Sequence, residues 1–184
     1  MIFFIQDLVN YLTLGGLALI VVLIFSVIFA KQLQTRQDLV SKAFILLKSN
    51  VYLCVFLIAL FSTLGSLFFS NVIGLPPCDL CWYQRILMYP LALLFLVALI
   101  KKEKILTSYA LVFSSLGVIV ALYQYYLQIG TMLNVKVGEI IPCSVTSTVS
   151  CANISDLAFG FVTLPLSSFV AFALIILLLA YDRR

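Results

Sequence analysis

Two pairs of cysteines carry the most reactive side chains in this sequence. Cys78 and Cys81 form a Cys-x-x-Cys, and Cys143 and Cys151 flank seven residues further along. The fifth cysteine, Cys54, stands alone in an apolar run, where it reads as a small packing residue. A Cys-x-x-Cys closes a tight ring, so its disulfide tends to be readily reduced and re-formed by thiol–disulfide exchange. Arg85 follows Cys81 by four residues, which on a helix places the guanidinium one turn away on the same face. A cation in that place can stabilise a thiolate and a nearby anionic oxygen. Histidine is absent, which removes His-ligated haem, His-based zinc and a histidine general base.

Two other uses of four cysteines remain open on the residues alone. One is a four-cysteine zinc site, but the second pair is not spaced like a zinc knuckle, so no metal is expected. The other is a pair of inert structural disulfides. Those serve small secreted domains more than helices embedded in lipid.

The elements that must hold these residues follow from composition. Hydrophobic residues make up 64 % of the 184 and charged residues 10 %. A soluble domain carries about 25 % charged residues, so lipid is the expected solvent, and a nucleic-acid binder is excluded. Crossing about 30 Å of hydrocarbon takes about 20 helical residues. Five stretches qualify: Leu8 to Ala30, Val51 to Ile73, a third ending at Ile100, Ile105 to Gln128, and Leu157 to Tyr181. The first lacks a basic leader and is long for a signal peptide, so it reads as a retained span. The third is short for a bilayer unless its helix begins near Cys81. That start puts Trp82 and Tyr83 at the interface and Arg85 deeper, where an arginine needs a partner or must snorkel.

Charge orients the spans. Lys31, Arg36, Lys42, Lys48, Lys101, Lys102, Lys104, Arg183 and Arg184 fall on one side, nine of the eleven basic residues. By the positive-inside bias that side is cytoplasmic. The beginning of the chain, the Cys78 segment and the loop from about Gly130 to Asp156 then lie outside, where disulfides persist. Tyr123, Gln124, Tyr125 and Tyr126 near the outer end of the fourth span read as an aromatic belt rather than a site.

The run Pro77-Cys78-Asp79-Leu80-Cys81-Trp82-Tyr83-Gln84-Arg85, continuing to Met88-Tyr89-Pro90, resembles the signature of the DsbB/BdbC disulfide-bond formation proteins. Pro142-Cys143 to Cys151 is similar to that family's second outer-loop pair, and Gly160 to Pro165 resembles the entry into its last helix. Similarity runs from about Val51 onward. The resemblance implies an all-α integral membrane protein of the bacterial inner membrane, built as a four-helix transmembrane bundle. Here the bundle is preceded by an additional transmembrane helix, making five spans. The expected division is 1–48 for the extra helix and basic linker and 49–184 for the four-helix domain. The expected topology has the N-terminus outside and the C-terminus cytoplasmic.

The implied chemistry is reoxidation of a DsbA-like thioredoxin-fold thiol oxidase. Its thiolate attacks the Cys143–Cys151 disulfide, at Cys143. The electrons then pass to Cys78–Cys81, and from Cys81 to a membrane quinone, either ubiquinone or menaquinone. Arg85, Cys81 and Gln84 are the expected quinone contacts. Gly130, Gly138 and the Ser/Thr-rich run between the loop cysteines suit a movable loop. Vitamin K epoxide reductase relatives place the loop pair before the Cys-x-x-Cys, the opposite order to this chain. That reading, with redox flow reversed, and a non-enzymatic membrane scaffold with structural disulfides are the alternatives.

Overall fold

The structure is a computed structural model describing residues 2–29, 50–101, 107–135, 150–152 and 161–183, with side chains of the first segment described from 7 to 25. Among the described residues there are five long helices and no strand. They are α1 (Ile2–Phe29), α2 (Val51–Leu67), α3 (Asp79–Lys101), α4 (Thr107–Met132) and α5 (Leu164–Asp182). All five are long and apolar enough to cross a membrane. Helices are what such sequences must form there, because lipid offers no partner to an unpaired peptide group.

Helices α2, α3, α4 and α5 close a ring, each packed on its two neighbours, and α1 lies outside the ring against α5. The ring's core includes Val55 of α2, Leu91 and Phe95 of α3, Ala110 of α4, and Phe172 and Ile175 of α5. Cys54 packs, partly buried, against this core. Lipid tails are as apolar as leucine, so helices gain most by letting backbones approach at small residues. Gly117 of α4 shows this: a Cβ there would lie 2.5 Å from the ring of Phe172 on α5. Gly117→Ala is therefore expected to destabilise the bundle by about 1–3 kcal/mol through overpacking. Thermal unfolding in detergent reads that loss.

Helix boundaries differ from the sequence expectation in four places, the first being α1, which begins at Ile2 rather than Leu8 and includes Asp7. The second span leaves α-helical geometry at Leu67 and widens into a π turn over Phe68–Val72. There the Ser70 hydroxyl bonds back to the carbonyls of Ser66 and Leu67, competing with the regular ladder. The fourth span runs through Gly130 to Met132. It stops where Asn134 takes a φ of 53°. The amides of Asn134 and Val135 then bond back to Thr131 and Gly130, the paired bonds of a left-handed helix stop. The last helix starts at Leu164, with Thr163 extended as its cap and Pro165 in its first turn, so residues 161–163 of the expected span are not helical, while its expected start at Leu157 lies outside the described residues.

Candidate functional site: a thiol pair at the mouth of an apolar cavity

The chain leaves the π turn through Gly74, whose φ of 80° suits a residue without Cβ. Pro76 and Pro77 then fix an extended approach to α3. The Cys78 carbonyl accepts the Trp82 amide at 3.1 Å, so Cys78 caps α3 and Cys81 sits in its first turn. Local sequence thus brings both sulfurs to the N-terminal, electropositive end of a helix. They are free thiols with sulfurs 2.8 Å apart. The hydrogen bond with Cys81, and then burial, hold the Cys78 thiol well above its ordinary range, so Cys78 keeps its proton.

A second helix completes the pair's surroundings. Gln124 of α4, 2 % exposed, donates its amide to Cys78 Sγ at 3.2 Å and to Cys81 Sγ at 3.3 Å. Its own oxygen accepts the Gln84 amide at 2.7 Å. The expectation for Gln124 was a belt residue, and the structure puts it on both sulfurs instead. The available signal was the small and polar stripe Ala110, Ser114, Gly117, Ala121, Gln124 and Gln128, which is the buried face of α4. The neighbouring tyrosines hide it in the sequence. Replacing Gln124 with leucine is expected to slow thiol turnover about tenfold and to cost about 1–3 kcal/mol, because Gln84 is left unsatisfied. Turnover and thermal unfolding of the same preparation measure both.

Arg85 is directed at α2. Its Nε donates to Ser66 Oγ at 2.8 Å and its Nη2 to the Ser66 carbonyl at 3.0 Å, while the guanidinium lies 5.2 Å from the Trp82 ring centre. Ser66 is a second residue that sequence reasoning missed. It follows Ser62 by four residues on one face of α2, and Ser70 continues the spacing into the π turn. With these partners the arginine's charge is held inside a spanning segment rather than released to the headgroups.

Cys151 is disulfide-bonded and 1 % exposed. It lies in one packed cluster with Cys78, Leu80 and Leu127, against which Cys81 also packs. Cys143, with Gly138 and most of the Ser/Thr-rich run, lies outside the described residues. Among the described residues no three His, Cys, Asp or Glu side chains are grouped to hold a metal ion.

Beside the thiols opens a cavity of about 760 Å³. Its polar end holds Cys78, Cys81, Gln84, Arg85, Gln124 and Cys151, and its walls are mostly apolar side chains of α1, α2 and α5, with Thr13, Ser62 and Ser167 interspersed. The arrangement combines a dithiol, a neighbouring disulfide, amide and guanidinium donors, and a greasy chamber. It suits exchange between sulfur couples and transfer to a lipid-soluble molecule.

Comparison with known proteins agrees with disulfide chemistry at this site. Residues 48–181 match the family model "Disulfide bond formation protein DsbB". The SPbeta prophage-derived disulfide bond formation protein B of Bacillus subtilis is 41 % identical over 126 residues, covering 68 % of this chain and 80 % of the relative. A probable disulfide formation protein C 2 of Bacillus cereus is 41 % identical over 123 residues, 67 % of this chain and 84 % of its own length. A probable disulfide formation protein of Coxiella burnetii is 36 % identical over 148 residues, 77 % of this chain and 96 % of the relative. No solved structure matches the chain significantly. The chain is a multi-pass membrane oxidoreductase that belongs to the DsbB family of disulfide bond formation proteins.

Proposed function

We propose that the protein reoxidises a DsbA-like thioredoxin-fold thiol oxidase and delivers the electrons to a membrane quinone. One observation carries the reading: Cys151, already in a disulfide, is packed in the same buried cluster as the Cys78–Cys81 thiols. Two sulfur couples in contact can exchange without a carrier.

In the proposed cycle the partner's thiolate opens the Cys143–Cys151 disulfide at Cys143 and leaves as a disulfide itself. The two thiols so formed reduce the Cys78–Cys81 disulfide and close again. The described arrangement, with thiols at Cys78 and Cys81 and Cys151 oxidised, corresponds to the point after this exchange. Closure of the Cys78–Cys81 bond then releases two electrons and two protons.

A quinone supplies a two-electron, two-proton acceptor that dissolves in the membrane. The cavity fits such a molecule by size, since ligand pockets run from about 300 to 1,000 Å³, and by its polar end and apolar walls. Arg85, Gln84 and Cys81 would hold its ring. Ubiquinone and menaquinone both present the required carbonyl oxygens. Cys78 and Cys81 both line the cavity with Arg85, and the proton-holding Cys78 also belongs to the Cys151 cluster. Gln124, donating to both sulfurs, holds the two thiols side by side.

On this reading residues 49–184 form the redox domain and 1–48 an addition to it. The protein sits in the bacterial inner membrane with the cysteine-bearing ends of the helices outside and the C-terminus in the cytoplasm. The direct test is anaerobic incubation of the purified protein with a reduced thioredoxin-fold oxidase and a short-chain quinone, followed by quinone absorbance. One quinol formed per partner disulfide supports the function. Unchanged quinone absorbance with active partner would refute it.

A further inference from the structure

We infer that α1 is a wall of the acceptor cavity and sets which quinone substituents fit, an inference that rests on the quinone reading above. Leu8, Val9, Leu12 and Thr13 of α1 all line the cavity. Their i, i+1, i+4, i+5 spacing is one helix face. The same cavity reaches Cys81 and Arg85 at its other end, so α1 borders the chamber that opens on the thiols.

The position of α1 is fixed by specific contacts. Thr13, 4 % exposed, has its hydroxyl 2.8 Å from that of Ser167 on α5 and also bonds its own helix at Val9. One turn on, Gly16 allows close approach, since a Cβ there would lie 2.5 Å from Val170. Deeper still, Leu23 packs with Val170 and Leu174 of α5, with Ile58 of α2 against them. Of these residues Ile58, Val170 and Leu174 also line the cavity in the gap between α1 and α2. Leu12 of α1 and Leu57 and Phe61 of α2 line the same cavity. Leu12, Leu57 and Phe61 remain exposed beside that gap.

The match to the family model begins at residue 48, so this wall is not supplied by the matched segment. A quinone's polar ring belongs at the Arg85 end. Its isoprenoid tail must leave along an apolar path, and the gap between α1 and α2 is that path. Without α1 the same side would face acyl chains and accept tails of any width. With α1 in place, Leu8, Val9 and Leu12 limit it.

The test uses full-length protein. A photoreactive azidobenzoquinone bearing a decyl chain is expected to label the segment 8–13 together with α2 or α3, as read by peptide mass mapping. Leu12→Trp, which pushes bulk into the cavity, should raise the KM for a long-tailed quinone roughly tenfold, equivalent to about 1.4 kcal/mol. Val22→Trp, on an exposed part of α1 away from the cavity, should behave as wild type. Label confined to α2–α5 overturns the role of α1, as does a Leu12→Trp KM within about twofold of wild type. Should Leu12→Trp fail to fold, the labelling of the wild-type protein still decides. Absence of both label and quinone reduction in the wild type would sink the quinone reading itself, and this inference with it.

Discussion

Cys81→Ser is expected to abolish quinone reduction completely. A serine hydroxyl cannot form the sulfur–sulfur bond whose closure releases the electron pair, so no residual slow route remains. The substitution is otherwise mild. A hydroxyl accepts the Gln124 amide as the sulfur does, and the first turn of α3 keeps its Cys78 cap. The variant should therefore fold and melt like the wild type. It should also still trap the partner as a mixed disulfide at Cys143, because that attack precedes any event at Cys81. Loss of trapping together with turnover would mean that Cys81 serves the fold or the loop rather than the final transfer. Absorbance of the quinone and a non-reducing gel on one sample separate the two results.

Arg85→Ala is expected to raise the KM for quinone by roughly 10–100-fold, the worth of a hydrogen bond to a charged group. The guanidinium is pinned to Ser66 by two bonds and lies over Trp82, so it is preorganised at the cavity's polar end. A group already fixed gives up little freedom on meeting a ligand. Arg85→Lys should recover part of the loss, since an ammonium keeps the charge but cannot span both Ser66 contacts. Partner oxidation by the disulfides in a single turnover should be unaffected. Steady-state kinetics with varied quinone measure the effect, and a wild-type KM in Arg85→Ala would remove the arginine from the acceptor site.

Much of this arrangement was readable from residues alone. The five spans follow from charge-free length, and the α3 start follows from the shortness of the run after Arg85. The i, i+4 relation of Cys81 and Arg85 survives in the structure, with both lining one cavity. What the sequence hid lies across helix–helix contacts. Gln124 is 43 residues from Cys81 and reaches it only because α3 and α4 pack side by side. Ser66 gains its role only by meeting Arg85 of α3, and nothing in the apolar pattern of α2 marks where that contact or the following π turn will fall. The seat of α1 was likewise invisible. Its hydrophobicity is nearly uniform around the helix, so no stripe pointed to α5. Thr13 and Gly16 gain meaning only beside Ser167 and Val170.

The relay requires that the two sulfur couples touch. The Cys81→Ser, Cys143→Ser double variant leaves Cys78 and Cys151 as the only cysteines of those pairs. Peptide mapping after mild oxidation should find them joined to each other in nearly all molecules, because both are buried in one cluster. Recovery of Cys78 and Cys151 as separate thiols in a folded protein would contradict the account.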